Sequence, residues 1–348
     1  MIENLVRKNI LALKPYSCAR DEFKGREAHV FLDANESAYN SPLNRYPDPM
    51  QEQLKKSVSK LKGVPHEQIF LGNGSDEAID LVYRIFCEPR VDNVVAIEPT
   101  YGMYKVCADI NDVEYRAVPL SANYALSADA LMQAVDEHTK VIWICTPNNP
   151  TGNDLDRAEI QKLLTQFQGI LVVDEAYSDF SDLRPLRSYI NYFPRMIVLN
   201  TFSKAWASAA IRLGMAFASA EIISLFNRVK YPYNINLLTQ QAAHESINQI
   251  MRIDNWIKEV RNERQHLIPS LRELPFVKHV YPSSANFVLV KVNDADAVYN
   301  YLMNKGIIVR NRTRVTMCEN ALRITIGSKE ENNELLGALR SYRPEIKK

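Results

Sequence analysis

The chain has 348 residues and a formal net charge of +1, with 46% hydrophobic and 24% charged residues. One hydrophobic core rarely holds a chain of this length, so we expect a large domain and a smaller one. The near-neutral charge lacks the basic surplus of proteins that bind nucleic acids or anionic membranes, so we expect neither kind of partner.

The composition also argues against a membrane or secreted protein. No stretch of about 18 apolar residues occurs, so no membrane span is expected. The start, MIENLVRKNILALKP, carries charged residues and lacks a signal-peptide cleavage site. The five cysteines are scattered, and the six histidines show no pairing at metal-ligand spacing. This favours reduced thiols, a cytoplasmic location and no metal. The cysteines are Cys18, Cys87, Cys107, Cys145 and Cys318.

The predicted elements begin with an N-terminal arm over residues 1–33 that contains one short helix. An amphipathic helix is predicted from Gln51 to Leu61. Short apolar strands then alternate with helices, and the predicted strands are QIFLG, NVVAI, VEYRAVPL, KVIWICTP, GILVVDEAY and MIVLNTFS. The helices between them are SDEAIDLVYRIF, a segment near YGMYKVCADI, SADALMQAV with a Ser127 cap, and DRAEIQKLLTQF. Such alternation indicates a mostly parallel sheet with both faces covered.

The pattern changes after about Asn234. Residues from Leu237 to about Leu274 are almost continuously helical in character, and VKHVYPSSANFVLVKV follows as a probable strand pair. A helix (ADAVYNYLMNKG), two strands (IIVRN and ALRITIG) and a last helix (KEENNELLGALRSY) complete a compact α+β unit. We predict a large domain over residues 34–250 and a smaller C-terminal domain over residues 251–348.

The first two strand ends of interest are glycine- and asparagine-rich. QIFLG leads into GNGSDE, where small residues and the start of a helix suit an anion, although an ordinary turn between strand and helix fits as well. KVIWIC leads into TPNNPTG, an ordered turn in which Asn149 offers an amide donor to a ligand oxygen. Because ligands bind beyond the carboxyl ends of parallel strands, these turns are candidate sites.

Two further strand ends carry ionisable residues. GILVV ends in DEAY, where Asp174 is costly to bury without a partner, or else caps a helix, and Tyr177 presents its phenol nearby. MIVLN ends in TFSKAW, which places Thr201, Ser203 and Lys204 together, eight residues or more before the cation Arg212. A lone lysine is usually a surface charge, but this setting favours an anion site beside a desolvated amine.

These four segments, in this order, resemble those of the fold-type I enzymes that use pyridoxal phosphate, and more closely those of the histidinol-phosphate aminotransferases. LDANES, NRYPDP, EPTYGMY and LRITIG extend the resemblance, which runs from about Tyr16 to the C-terminal helix. It implies an α/β fold with a mostly parallel central sheet in a large domain plus a smaller α+β C-terminal domain. It also implies pyridoxal 5′-phosphate as the cofactor.

The resemblance implies roles around the cofactor ring. Lys204 corresponds to the lysine that forms the Schiff base and then carries the substrate's α-proton. Asp174 corresponds to the carboxylate paired with the ring nitrogen. Asn149 and Tyr177 correspond to donors to the 3′ oxygen, and Tyr101 to the aromatic residue that covers the ring face.

The resemblance also implies a phosphate site and a dimer. The phosphate-binding positions are the backbone at Gly74, Ser75 and Asp76, the hydroxyls of Thr201 and Ser203, and Arg212. Tyr46, in NRYPDP, matches a tyrosine that reaches the phosphate of the neighbouring subunit. The resemblance therefore implies a homodimer with shared active sites.

For substrates, Arg323 and Arg310 match two arginines that suit a phosphate on one substrate and the carboxylate of glutamate on the other. Tyr16, in the N-terminal arm, and Asn35, in the ANE turn, are expected to close over the substrate. The implied reaction is transamination between L-histidinol phosphate and 2-oxoglutarate, which runs in reverse during L-histidine biosynthesis.

Three alternatives stay open at this point. An aminotransferase for aromatic amino acids and a phosphothreonine decarboxylase share the cofactor residues, and Arg310, Arg323 and the pocket near Tyr16 and Tyr101 separate them. A non-catalytic regulator with the same fold is the third, although it would not need the amine of Lys204.

Overall fold

Two β-sheets organise the chain, whose computed structural model describes residues 2–17 and 29–343. The strands of the larger sheet are β1 (Ile69–Asn73), β2 (Asn93–Glu98), β3 (Glu114–Pro119), β4 (Thr139–Cys145), β5 (Ile170–Asp174), β6 (Met196–Thr201) and β7 (Leu213–Phe217). Their order is β1-β7-β6-β5-β4-β2-β3. The smaller sheet contains β8 (Val277–Val280), β9 (Phe287–Val292), β10 (Arg310–Asn311) and β11 (Ala321–Thr325), in the order β10-β11-β9-β8.

The larger sheet is mostly parallel, as predicted. Strands β4, β5 and β6 are nearly continuous apolar runs whose residues are almost all buried, which is the pattern of strands covered on both faces. They pair in parallel, and β2 joins β4 and β3 in the same sense. Their carboxyl ends therefore lie along one edge of the sheet.

Sequence reasoning missed two elements, strand β7 and the helix over Ala220–Val229 that follows it. Strand β7 runs antiparallel between β1 and β6. A Cβ added to Gly214 would lie 2.1 Å from the backbone carbon of Gly74 and 2.2 Å from the backbone nitrogen of Ser75, so only glycine allows this approach. Strand β7 thus packs directly against the turn after β1.

Helices cover both faces of the larger sheet and one face of the smaller. They are α1 (Lys8–Leu11), α2 (Glu52–Lys62), α3 (Gly74–Phe86), α4 (Met103–Ile110), α5 (Ala128–Gln133), α6 (Arg157–Gln166), α7 (Ala220–Val229), α8 (Leu237–Asn248), α9 (Ile250–Arg272), α10 (Ala295–Asn304) and α11 (Lys329–Ser341). The predicted cap of α5 is confirmed, because the Ser127 hydroxyl accepts the Ala130 N–H at 3.2 Å. No helix in the described part of the chain is both long and apolar enough to cross a membrane.

The smaller sheet has two different faces. Val288 and Leu322 point into a core formed with α9, α10 and α11. Phe287, Leu289 and Ala321 point the other way and join the core of the larger sheet. Because side chains alternate along a strand, Arg323 lies on the same face as Ala321, toward the larger sheet.

The first residues pack against the larger sheet's helices. A 3₁₀ turn over Ile2–Leu5 and helix α1 bury Ile2, Val6 and Ile10 in the core that contains α3. The predicted boundaries at residues 33 and 250 stay predictions. Cys87, Cys107, Cys145 and Cys318 are buried free thiols, and Cys18 lies outside the described residues.

Candidate active site

Polar side chains meet in a cavity at the carboxyl edge of the larger sheet. Strands β4, β5 and β6 end there side by side, with Cys145 opposite Asp174 in register. The lining consists of Gly74, Ser75, Asp76, Tyr101, Cys145, Asn149, Asp174, Ala176, Tyr177, Thr201, Ser203, Lys204, Ala209 and Arg212. Every strand-end residue singled out from the sequence between Gly74 and Arg212 therefore lies around one space.

One end of the cavity is a cradle for an anion. Helix α3 begins there at Gly74, whose φ is +70° and whose N–H donates to the Arg212 carbonyl at 2.6 Å. An added Cβ at Gly74 would lie 2.6 Å from Arg212 Nη2, so a larger residue here would displace the guanidinium. Two hydroxyls face the same region, since Thr201 Oγ1 donates to Ser203 Oγ at 3.0 Å. A helix N-terminus, two hydroxyls and a guanidinium together suit a phosphate.

Asp174 is the last residue of β5, the strand beside β6, and is 3% exposed. Its Oδ1 accepts the Ala176 N–H at 2.9 Å and its Oδ2 accepts the Tyr104 hydroxyl at 2.8 Å. Burial raises the pKa of Asp174, and these two hydrogen bonds oppose the rise. The carboxylate is therefore fixed in place with capacity left to accept one more donor.

Tyr104 is a functional residue that sequence reasoning missed. Its ring stacks on Trp143 at 4.8 Å and 15°, and Trp143 stacks on Tyr83 at 5.5 Å. The Tyr83 hydroxyl donates to the Tyr104 carbonyl at 2.7 Å. This buried column fixes the hydroxyl that holds Asp174. The only signal in the sequence is its position three residues after Tyr101, which lies just before α4.

Two aromatic side chains flank the middle of the cavity. The Tyr101 hydroxyl donates to Asp76 Oδ1 at 3.0 Å, and its ring meets Tyr104 edge-on at 5.7 Å. The Tyr177 ring centroid lies 5.7 Å from Lys204 Nζ. The amine of Lys204 reaches solvent, yet its pKa is lowered, first by desolvation in the cavity and then by the charge of Arg323. Both effects favour the neutral, nucleophilic amine.

Arg323 links the smaller sheet to the cavity. Its Nη1 donates to Asn149 Oδ1 at 2.5 Å, and its guanidinium lies 5.3 Å from the Phe287 ring centroid. The bond orients the Asn149 amide so that its NH₂ group is the donor left for a ligand. Arg310 is paired with Arg323 in register across β10 and β11. The structure thus brings the two predicted arginines onto neighbouring strands.

Three predicted residues lie away from the cavity within this chain. Tyr46 is 48% exposed and stacks on Tyr233 at 4.5 Å. Together with Asn35 it lines a separate groove beside the start of α8. Tyr16 is 75% exposed and lines a third groove with Lys230. Their predicted roles stay predictions.

The fold and the cavity define a class of enzyme. A model of the family described as aminotransferase class I and II matches residues 20–339. The chain therefore belongs to the class I and II aminotransferases, and its fold is that of the fold-type I pyridoxal-phosphate enzymes.

Similar proteins narrow the class. The histidinol-phosphate aminotransferase of Bacteroides fragilis is 57% identical over 98% of this chain and 99% of its own length. That of Bacteroides thetaiotaomicron is 56% identical with the same coverage. The chain belongs to the histidinol-phosphate aminotransferase family. The crystal structure of the enzyme from Clostridium acetobutylicum shares the fold, with a TM-score of 0.79 at 23% identity over 86% of this chain and 90% of that one.

Pyridoxal phosphate is the cofactor of this class, and the cavity's residues fit it. The Gly74 N–H is already bonded to the Arg212 carbonyl, so the backbone donors left for a phosphate are those of Ser75 and Asp76. Two hydroxyls and a guanidinium complete the cradle. The buried Asp174 offers an acceptor to a protonated ring nitrogen, and Lys204 offers an amine to an aldehyde. The donor set matches the three functional ends of the cofactor.

Proposed function

We propose that the chain transfers an amino group between L-histidinol phosphate and 2-oxoglutarate, giving imidazole-acetol phosphate and L-glutamate, and that it works in the reverse direction in L-histidine biosynthesis. Relatives 55–57% identical over nearly the whole chain carry the name of this activity. The observation that carries the proposal is Lys204, which lines the cavity together with the residues of the anion cradle. Desolvation and the charge of Arg323 lower the pKa of its amine.

The cofactor would be held by residues around the cavity. Its phosphate would be bound by the backbone at Ser75 and Asp76, by Thr201 and Ser203, and by Arg212. The Asp174 carboxylate would accept a hydrogen bond from the protonated ring nitrogen. Asn149 and Tyr177 would donate to the 3′ oxygen, with Tyr101 over the ring. When bound, the cofactor supplies an electron sink that acidifies the substrate's α-carbon.

Lys204 would move the proton in this reaction. Its Nζ would accept the proton from the substrate's α-carbon, which requires a neutral amine. Desolvation and the neighbouring charges of Arg323 and Arg212 favour that state, while Asp174 opposes it. The Tyr177 ring beside Nζ limits the directions in which the amine can move.

The substrates' anionic groups would be bound by arginines. Arg323 already holds Asn149 and faces the cavity, and Arg310 lies opposite it in register. Tyr16, from the N-terminal arm, and Asn35, from the turn that follows it, would close over the substrate. Phosphate and carboxylate both match the planar fork of a guanidinium, so one site would serve both substrates in turn.

The protein would act as a homodimer in the cytoplasm. Tyr46 lies outside its own chain's cavity and is half exposed, which fits a hydroxyl that reaches the phosphate site of a partner subunit. Leu43 and Leu238 are exposed apolar side chains that line the groove beside it. Exposed apolar side chains grouped in this way are typical of an interface.

The test is turnover by the purified protein loaded with pyridoxal phosphate. Formation of imidazole-acetol phosphate and glutamate from histidinol phosphate and 2-oxoglutarate, with ping-pong kinetics, is the expected result. Phenylalanine as the far better amine donor would replace the proposal with an aromatic aminotransferase. Release of carbon dioxide from phosphothreonine would replace it with a decarboxylase.

A further inference from the structure

A third arginine shares the face that carries Arg310 and Arg323. Arg310 is paired with Arg323 across the strands, and the Arg312 N–H donates to the Ala321 carbonyl at 2.8 Å, which continues the same ladder. Residues two apart on a strand point to the same side, as do residues opposite each other. All three guanidinium side chains therefore extend toward the larger sheet. This group is called the arginine cluster below.

The arginine cluster lacks an ion-pair partner in the described part of the chain. Among residues 2–17 and 29–343, none of the three arginines forms an ion pair. The Nε of Arg312 is buried and lacks a hydrogen-bond partner within the same described ranges. Burial, and then the charges of Arg323 and Arg310, lower the pKa of Arg312 to about 10. Three neighbouring cations without an acid repel one another, and an anion would remove that cost.

The segment that carries Arg312 is fixed to the larger sheet's domain. The Tyr124 hydroxyl donates to the Met317 carbonyl at 2.7 Å. Thr316 Oγ1 donates to Glu98 Oε1 at 3.0 Å. A guanidinium on a fixed segment loses little conformational freedom when it binds a ligand. Arg312 is therefore prepared for a ligand before the ligand arrives.

Arg312 also lies near the cavity. The phenol of Tyr177, which lines the cavity, interacts electrostatically with both Arg323 and Arg312. A substrate whose reacting carbon lies at Lys204 can thus extend its far end toward the arginine cluster. The chemistry of that end is set by the cluster, since guanidiniums bind phosphates and carboxylates through paired hydrogen bonds.

We propose that Arg312 is a specificity-determining residue, which binds the phosphate group of the amino donor together with Arg310 and Arg323. This proposal rests on the proposed function, because it assigns the phosphate end of the proposed substrate to Arg312. A phosphate monoester presents three terminal oxygens and up to two negative charges, whereas a carboxylate presents two oxygens and one charge. The third guanidinium therefore favours the phosphorylated substrate over glutamate.

The experiment compares substrates that differ only in the phosphate. The holoenzyme and its Arg312→Gln variant are assayed with histidinol phosphate and with histidinol. We expect kcat/KM for histidinol phosphate to fall by about ten- to a hundredfold, mainly because KM rises. A fall of this size corresponds to the loss of one hydrogen bond to a charged group. The kcat/KM for histidinol should change by less than about twofold, because its hydroxyl makes no ion pair. Equal losses for both substrates, or no loss for either, would overturn the role of Arg312.

Two further variants keep the comparison interpretable. Arg314→Gln removes the same charge from an exposed position two residues along and should match the wild type. Arg312→Lys keeps the charge without the fork and should recover part of the lost kcat/KM. If Arg312→Gln fails to fold, as circular dichroism would show, Arg312→Lys carries the test. A lysine variant equal to the wild type on both substrates would then contradict a bidentate phosphate contact.

A separate measurement does not depend on turnover. Inorganic phosphate should bind the wild-type holoenzyme more tightly than the Arg312→Gln holoenzyme by about tenfold, measured by titration calorimetry. Equal affinities would contradict the proposal for Arg312. A wild-type enzyme that binds phosphate through Arg312 yet does not convert histidinol phosphate would refute the proposed function and leave this inference standing.

Discussion

The cavity at the edge of the larger sheet and the arginine cluster on the smaller sheet differ in whether their charged side chains have partners. In the cavity, Asp174 accepts two hydrogen bonds and Arg212 pairs with Asp76 at 3.4 Å. In the arginine cluster, Arg310 and Arg312 have no acid beside them in any described range. Asp174 and Arg212 in the cavity are therefore held by partners before a ligand binds. The arginine cluster has no anionic partner within the described ranges until a ligand supplies one.

This difference indicates a division of work. A group that stays bound through many reaction cycles is best held by a preorganised site, which costs no rearrangement when the reaction occurs. A group that arrives and leaves in every half-reaction is best met by free cations that gain from either anion. The cavity therefore suits a resident cofactor, and the arginine cluster suits exchanging substrates.

The largest effect should come from Lys204→Ala. Without the amine, no group at that position takes the α-proton. The rate of transamination should therefore fall by about a hundred- to ten-thousandfold. Product formation in a single turnover measures the loss, and Lys278→Ala, at an exposed position on β8, should leave it unchanged. A variant with near wild-type turnover would show that the cavity is not the reaction site.

Arg323→Gln should come next, because Arg323 belongs to both regions. It should lower kcat/KM by about a hundredfold for both substrates, as expected when one partner of a desolvated charge pair is truncated. The charge of Arg323 lowers the pKa of Lys204, so its removal raises that pKa and more of the amine is protonated at a given pH. The acid side of the kcat/KM profile should therefore move to higher pH.

The control for this shift is Arg310→Gln. It removes a cation of the same cluster that is not among the main influences on Lys204. Binding should weaken while the acid side of the profile stays in place. If the two variants moved the profile equally, the pH dependence would not report the amine beside Arg323.

A smaller effect is expected for Tyr104→Phe. The variant removes one hydrogen bond to the Asp174 carboxylate, which is worth about 1.5–3 kcal/mol, and kcat should fall about ten- to a hundredfold. Because that bond lowers the pKa of Asp174, its loss raises the pKa and activity should be lost at a higher pH on acidification. The matched control is Tyr83→Phe, whose hydroxyl bonds a carbonyl in the same aromatic column. An unchanged absorbance titration of the bound cofactor in Tyr104→Phe would contradict this role.

Much of the fold and of the cavity could be predicted because parallel strands bring their ends together. Asp174 and Thr201 each end an apolar run, so the alternation of strands and helices predicted that they lie near each other at one edge of the sheet. Strand β7 was missed because LGMAF is a five-residue apolar run that no α-helix separates from the preceding strand β6. Its antiparallel direction depends on the close approach at Gly214, which only the structure shows.

The residues that sequence reasoning missed depend on tertiary contacts. Tyr104 reads as a core aromatic on the buried face of α4, and only the stack on Trp143 aims its hydroxyl at Asp174. Arg312 reads as a charge in a polar turn, and only the register between β10 and β11 puts it beside Arg323. Neither register nor ring orientation is encoded in the spacing of residue types along the chain.

The smallest effect is expected for Tyr46→Phe, which tests how much a partner subunit adds to the cavity of one chain. Tyr46 lies outside it, and the proposed dimer would bring the hydroxyl of Tyr46 to the partner's phosphate cradle. Tyr46→Phe should then raise the dissociation constant of pyridoxal phosphate only about fivefold, since one hydrogen bond contributes about 1 kcal/mol. Equilibrium dialysis measures the change, and sedimentation should show an unaltered dimer. Tyr39→Phe, at an 86% exposed position, is the control. An unchanged dissociation constant would mean that the cradle binds its phosphate without this hydroxyl. An equal rise in Tyr39→Phe would assign the effect to the exposed surface rather than to a shared site.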